Sequence, residues 1–132
     1  MSGTSQGFGE HGAFTVSVGA DPRLSDTVHE LTRKAAEMTG CSAADATSIA
    51  DAAIVVASAL KDDLDLAYRP LLAALVVEIR AARRGAGASL HAALEQDGVL
   101  AKVKALVPAA ELQGSGADEC CFLTCPRADD LR

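Results

Sequence analysis

The chain has 132 residues, a formal net charge of -6 and a pI near 4.9. This length predicts one domain that can bury a real core without disulfides or metals. The acidic balance argues against a nucleic-acid surface, because phosphate binding needs clustered Lys and Arg. With three Phe, one Tyr and no Trp, the chain also lacks the aromatics of a base-stacking platform. No stretch has the roughly 18 uninterrupted apolar residues of a transmembrane helix, so we expect no membrane association.

The two ends of the chain are polar. Residues 1–12, MSGTSQGFGEHG, predict a flexible Gly- and Ser-rich arm. They lack a basic region followed by an apolar core, so we expect no secretory signal, a cytoplasmic location and reduced cysteines. Residues 128–132 predict a polar tail, which leaves residues 13–127 for the folded domain.

A strand and two helices are predicted next. Phe14, Val16 and Val18 occupy alternate positions of a β-favouring segment, which predicts a strand with one buried face. The pair Asp21-Pro22 is typical of a helix start. An apolar stripe at helical spacing then runs from Leu24 to Met38, and Gly40 predicts the helix end.

The second helix is predicted from Ser42 to Leu60. Ser42 is a good N-cap, and Asp45 adds negative charge to the first turn. From Ala50 onward only Asp51 and Ser58 are polar. A helix that is apolar on nearly all sides is expected to be buried.

The second half of the chain is partly ambiguous. In RPLLAALVVEIRAARRGAG, the Ala and Leu content favours a helix, whereas alternation at Leu75, Val77 and Ile79 favours a strand. We expect the following SLHAALEQ to be a short strand, paired with the previous segment in a hairpin. GVLAKVKALVPAAEL predicts a helix that ends near Pro108, and ECCFLTC predicts a final strand.

The predicted order is β-α-α-β-β-α-β. Strands that share a sheet and helices that share one of its faces predict an α+β fold. We expect a two-layer sandwich, with a mixed or antiparallel sheet of about four strands covered on one face by three helices.

Four strings carry a resemblance to a known family. They are FTVSVGADPRLSDTVHELTRKAAEMTG, SAADATSIADAAIVVASAL, VVEIRAARRGAGASLHAALEQDG and GADECCFLTCPR. In this order they resemble the first strand and helix, the second helix, the central hairpin and the closing strand of Bergerat-fold (GHKL) ATPases, specifically the small bacterial anti-sigma-factor serine kinases. The resemblance implies that residues 13–127 form a degenerate histidine-kinase-like ATPase domain.

The resemblance fails at the residues that carry the family's chemistry. Its Glu-Ala-x-x-Asn motif supplies a catalytic carboxylate and a Mg²⁺ ligand from the second helix. The matching positions here are Val55 and Ala59, which can neither accept a proton nor coordinate a hard cation. The D-x-G-x-G box corresponds to Gln96, Asp97 and Gly98, without the second glycine. These three residues are therefore candidates for a vestigial nucleotide site, and little chain remains for an ATP lid.

The cysteines leave several alternatives open. If ECCFLTC is a strand, Cys120 faces one side of the sheet, whereas Cys121 and Cys125 face the other. Cys121 and Cys125 would then be ~13 Å apart along the strand. That spacing is too long for one tetrahedral zinc and favours structural packing. A thiol metal or redox cluster of the three, and intermolecular pairing, are the alternatives. Cys41 lies at the start of the second helix; we expect an ordinary partly buried thiol, and a thiol pKa lowered by the helix dipole is the alternative.

The preferred hypothesis is a non-catalytic, regulatory protein-binding module that has lost its ATP site and needs no cofactor. The family resemblance implies a protein partner: a sigma factor, an anti-sigma-factor antagonist, a related kinase or a second copy of the chain. It also implies an interface role for Phe14, Val16 and Val18, which core packing would equally explain. The alternatives are an atypical serine/threonine kinase that binds ATP and Mg²⁺, and a cysteine-based metal or redox sensor.

Overall fold

The computed structural model describes residues 13–18, 23, 25–60, 63–81, 90–96, 98–114 and 119–127. The predicted arm at 1–12, the helix start at Asp21 and Pro22, and the tail at 128–132 lie outside these residues. The described elements, in chain order, are β1 Phe14–Val18, α1 Ser25–Thr39, α2 Ala43–Leu60, β2 Leu64–Pro70, β3 Ala74–Ala81, α3 Leu90–Glu95, α4 Val99–Leu106, β4 Glu111–Gln113 and β5 Cys120–Pro126.

The strands form one antiparallel sheet in the order β1-β2-β3-β5-β4. Alternate residues of the strands face the helices and join their apolar side chains in a single core. The predicted α+β class and two-layer sandwich are confirmed. The described residues contain five strands and four helices, more than the four and three expected.

The junction between α1 and α2 is built as the sequence predicts. Gly40 has a φ of 108°, in the left-handed region that favours glycine. Its N–H and that of Cys41 both donate to the carbonyl oxygen of Ala36, at 3.2 and 3.0 Å, which ends α1. Ser42 Oγ then accepts the backbone N–H of Asp45 at 3.1 Å and caps α2.

Helix α2 is the central element of the helical layer. It packs against α1, α4 and β5, and its many small side chains allow the close approach of neighbouring helices. Its buried residues are Ala46, Ile49, Ala50, Ala52, Ala53, Val56 and Leu60. With 18 residues and a mean hydropathy of 1.5, α2 has the length and composition of a membrane span. A core helix meets the same two criteria, and α2 occupies that position in the fold.

The second half of the chain corrects the predicted hairpin. The ambiguous segment is a strand, β3, which lies at the middle of the sheet between β2 and β5. The predicted second strand of that hairpin is wrong: within SLHAALEQ, Leu90–Glu95 form the helix α3, and Leu90 and Leu94, four residues apart, both enter the core. The hairpin is instead β2–β3, joined at residues 71–73. Neither β2 nor the short edge strand β4 was predicted.

Candidate functional site

An apolar pocket of about 490 Å³ lies between α1 and the sheet, where β1 begins, β2 ends and β3 begins. This volume is typical of small-molecule sites, which span roughly 300–1,000 Å³. The apolar side chains of its wall come from α1 and from three neighbouring strands. They are Phe14, Leu31, Ala35, Met38, Pro70 and Leu75.

Tyr68 is the buried aromatic residue of this pocket. It is 0% exposed, and its ring stacks on that of Phe14 with 4.8 Å between centroids. Its hydroxyl is hydrogen-bonded to Thr32 Oγ1 at 2.7 Å, which joins β2 to α1. Burial raises the pKa of Tyr68, against a smaller opposite effect of the Thr32 hydrogen bond. The phenol is therefore neutral at physiological pH.

Large apolar side chains are exposed around the mouth of the pocket. Met38 is 87% exposed, Leu71 52% and Leu72 91%. Met38 lines the pocket, and Leu71 follows the lining residue Pro70. We call these three residues the turn-end surface. Exposed apolar groups concentrated beside a pocket are typical of binding sites.

The two charged side chains described in the pocket lining are cations, Lys34 and Arg127. Arg127 Nη1 donates to the carbonyl oxygens of Leu71 and Leu72, at 3.3 and 3.2 Å, and so holds the β2–β3 turn. Lys34 is 62% exposed, and its Nζ lies 3.7 Å from Glu30. The pocket is thus apolar inside and positively charged at its edge.

The predicted nucleotide site lies elsewhere. Gln96 is exposed just after α3, and Gly98, with a φ of 73°, precedes α4. Asp97 lies outside the described residues. Neither Gln96 nor Gly98 lines the pocket between α1 and the sheet. These two predicted cofactor residues are therefore not part of that pocket.

At the positions that match the family's Glu and Asn, helix α2 carries alkyl side chains. Val55 and Ala59 are half-buried and pack on the core. The carboxylate nearest to them on the helix, Asp51, accepts a 2.8 Å hydrogen bond from His29 Nε2. Beside the N-terminal end of α2, the cavity next to α4 and β5 holds only about 40 Å³. At the two matching positions, α2 therefore offers Mg²⁺ no oxygen ligand.

The four cysteines are free and buried. The predicted alternation is confirmed: Cys121 and Cys125 belong to the core cluster, whereas Cys120 lies on the other side of β5. Among the residues that the structure describes, no group of three potential ligands could hold a metal ion. Burial raises the pKa of Cys121 to about 12 and also raises that of Cys125. The predicted alternative of a low thiol pKa at Cys41 is wrong, because burial raises it.

The predicted interface residues lie on the edge strand β1. Phe14, Val16 and Val18 are half-buried and pack against the core, opposite Tyr68, Leu66 and Leu64 in register. Only Phe14 reaches the pocket. Their interface role stays a prediction.

Sequence reasoning missed most of the pocket. Met38 was placed on a buried stripe, yet it is largely exposed. The sequence did contain a signal for this exposure. Met38 lies at the end of the stripe, directly after Glu37 and two residues before the helix-ending Gly40. Nothing in the sequence places Lys34 and Arg127 in the lining of one pocket, because only folding brings these distant segments together.

No protein-family model matches the chain, and no curated protein matches it either.

Proposed function

We propose that this chain is a non-catalytic regulatory protein that acts in the bacterial cytoplasm by holding a protein partner. The observation that carries the proposal is the turn-end surface: Met38, Leu71 and Leu72 expose large apolar side chains. In protein–protein complexes such side chains supply buried anchors at the centre of the contact. By the family resemblance, the partner is a sigma factor, an anti-sigma-factor antagonist or a related kinase.

The charge around the turn-end surface supports a partner of defined chemistry. Lys34 and Arg127 flank the exposed apolar residues, although the chain as a whole has a net charge of -6. A partner segment that combines large apolar side chains with a neighbouring carboxylate would complement both features. The edge strand β1 would extend the contact, in keeping with the interface role predicted for Phe14, Val16 and Val18.

Loss of phosphoryl transfer is the second part of the proposal. Transfer from ATP requires oxygen ligands for Mg²⁺ and groups that position the phosphates. The alkyl side chains of Val55 and Ala59 at the matching positions of α2 support a function without nucleotide. The protein would then act through occupancy, with affinity rather than turnover as its output.

The test compares binding of purified candidates from the three partner classes. Leu72→Asp puts a charge at the centre of the turn-end surface and should weaken binding at least about 10-fold. Ala101→Asp adds the same charge at an exposed position on α4 and should leave binding unchanged. Equal affinities for Leu72→Asp and the unmodified chain would contradict the proposed surface.

Two further measurements separate the alternatives. Sedimentation of the chain alone would assign the surface to a second copy if a dimer forms and Leu72→Asp dissociates it. Calorimetric titration with Mg-ATP should give no saturable heat. Micromolar binding that is lost in Asp97→Ala would overturn the non-catalytic assignment in favour of an atypical kinase.

A further inference from the structure

We propose that the pocket between α1 and the sheet binds an apolar molecule with a single carboxylate, such as a linear acyl-chain carboxylic acid. The chain of the ligand would lie against the apolar wall, and its carboxylate would lie at the mouth beside Lys34. The ligand site shares Met38, Lys34 and Arg127 with the surface proposed to hold a partner. Ligand binding to the chain alone and partner binding without ligand are measured separately, so either proposal can fail without the other.

The interior of the pocket selects an apolar occupant. Its wall is formed by aliphatic and aromatic side chains, among them Leu31, Leu75 and Phe14. The Tyr68 hydroxyl is already bonded to Thr32, so it is not an unpaired polar group at the back of the pocket. The Thr39 hydroxyl is likewise bonded, to the carbonyl oxygen of Ala35 at 2.8 Å. A strongly polar ligand would lose its hydration without replacement hydrogen bonds in the interior.

The edge of the pocket selects a negative charge. Lys34 and Arg127 line it, and the described lining contains no carboxylate. An anion at this mouth would lie near the Lys34 ammonium, whose 62% exposure makes the attraction modest. A cationic headgroup would be repelled.

The local charge balance further favours one negative charge over several. Arg127 already serves two backbone carbonyls, those of Leu71 and Leu72. Glu30 lies 3.7 Å from Lys34 Nζ and partly neutralises it. Because Glu30 offsets part of the positive charge, repulsion from its carboxylate grows with the charge of the headgroup, so a single negative charge is favoured over several. A monocarboxylate therefore matches the site best.

The first experiment varies the headgroup at constant chain length. The full chain is titrated in a calorimeter with decanoate, decanol and decyltrimethylammonium, each below its micelle concentration. We expect saturable binding of one decanoate per chain, about 5-fold weaker binding of the alcohol, and no binding of the cation. The absence of saturable decanoate binding, or equal affinity for all three headgroups, would overturn the proposal.

The second experiment places the ligand in this pocket. Lys34→Gln should weaken decanoate about 5-fold and leave decanol unchanged, because it removes the charge and keeps most of the side chain. Lys102→Gln, on the exposed side of α4, is the matched control and should change neither affinity. Ala35→Leu should fill the pocket and weaken both ligands.

Ala35 is 9% exposed, so the folding of Ala35→Leu is checked by its thermal transition before titration. If that variant does not fold, the headgroup dependence of Lys34→Gln alone decides. Unchanged decanoate affinity in Lys34→Gln would overturn the assignment to this pocket.

Discussion

Two sides of the contact between helices and sheet differ greatly in how well they are filled. Where α2, α4 and β5 meet, the cavity is about 40 Å³, whereas the pocket between α1 and strands β1, β2 and β3 is about 490 Å³. The first, the closed side, is lined in part by Ile49 and Cys125. The second, the open side, ends at exposed Met38. The closed side stabilises the fold, which leaves the open side free to bind.

Truncating one residue on each side tests whether the two sides differ in packing. Ile49→Ala on the closed side removes a fully buried side chain and should lower the free energy of unfolding by about 2–5 kcal/mol. Met38→Ala on the open side removes a side chain that is 87% exposed and should change it by less than about 0.5 kcal/mol. Urea unfolding followed by circular dichroism measures both. Similar losses would show that both sides are equally packed.

The buried thiols of the closed side make the free energy of unfolding depend on pH. Cys121 has its pKa raised from 9.0 to about 12 by burial. Between these values the unfolded chain has lost the thiol proton while the folded chain retains it. The folded state binds more protons, so the free energy of unfolding falls as pH rises, by up to about 1.4 kcal/mol per pH unit for this thiol. Below pH 9 both states hold the proton and the thiol adds no slope.

Urea unfolding at intervals from pH 8 to 10.5 checks this expectation. Cys121→Ala is the informative variant, because its absolute stability is lower but its slope above pH 9 should be shallower. If the slope of the free energy of unfolding against pH is unchanged in this variant, the Cys121 thiol is accessible to water in the folded state. Cys125 and Tyr68, whose pKa values are also raised by burial, add slope of the same sign.

Local signals predicted the first half of the fold well. Ser42 and Gly40 mark helix ends through their own backbone chemistry, which requires no distant partner. The strand β2 was not predicted, although its apolar residues Leu64, Leu66 and Tyr68 alternate as in a half-buried strand. For β3 the pattern was ambiguous, because its strand state depends on pairing with both β2 and β5.

The site was far less predictable than the fold. The pocket joins residues from α1, three strands and the segment after β5, and no spacing in the sequence brings Lys34 near Arg127. The predicted nucleotide residues followed a family pattern, and the structure places Gln96 and Gly98 away from the pocket. An unfilled volume between layers is a property of packing, which the pattern of apolar residues does not report.

The smallest expected effect concerns the contact that joins α1 to the sheet on the open side. Tyr68→Phe keeps the ring that stacks on Phe14 and removes the hydroxyl bonded to Thr32. We expect a loss of about 1 kcal/mol, the net contribution of a typical buried hydrogen bond. Thr32→Val removes the other partner, and the double variant should cost little more than either single change, since the same bond is lost in each.

This double-mutant cycle also decides whether the pocket depends on the hydroxyl pair. If the bond holds α1 in place above β2, amide hydrogen exchange around Ala35 and Thr39 should accelerate in Tyr68→Phe, while exchange in α2 stays unchanged. Strictly additive losses in the cycle would mean that the two hydroxyls act separately. The open side would then be held by apolar packing alone, and its pocket would be free to widen around a ligand.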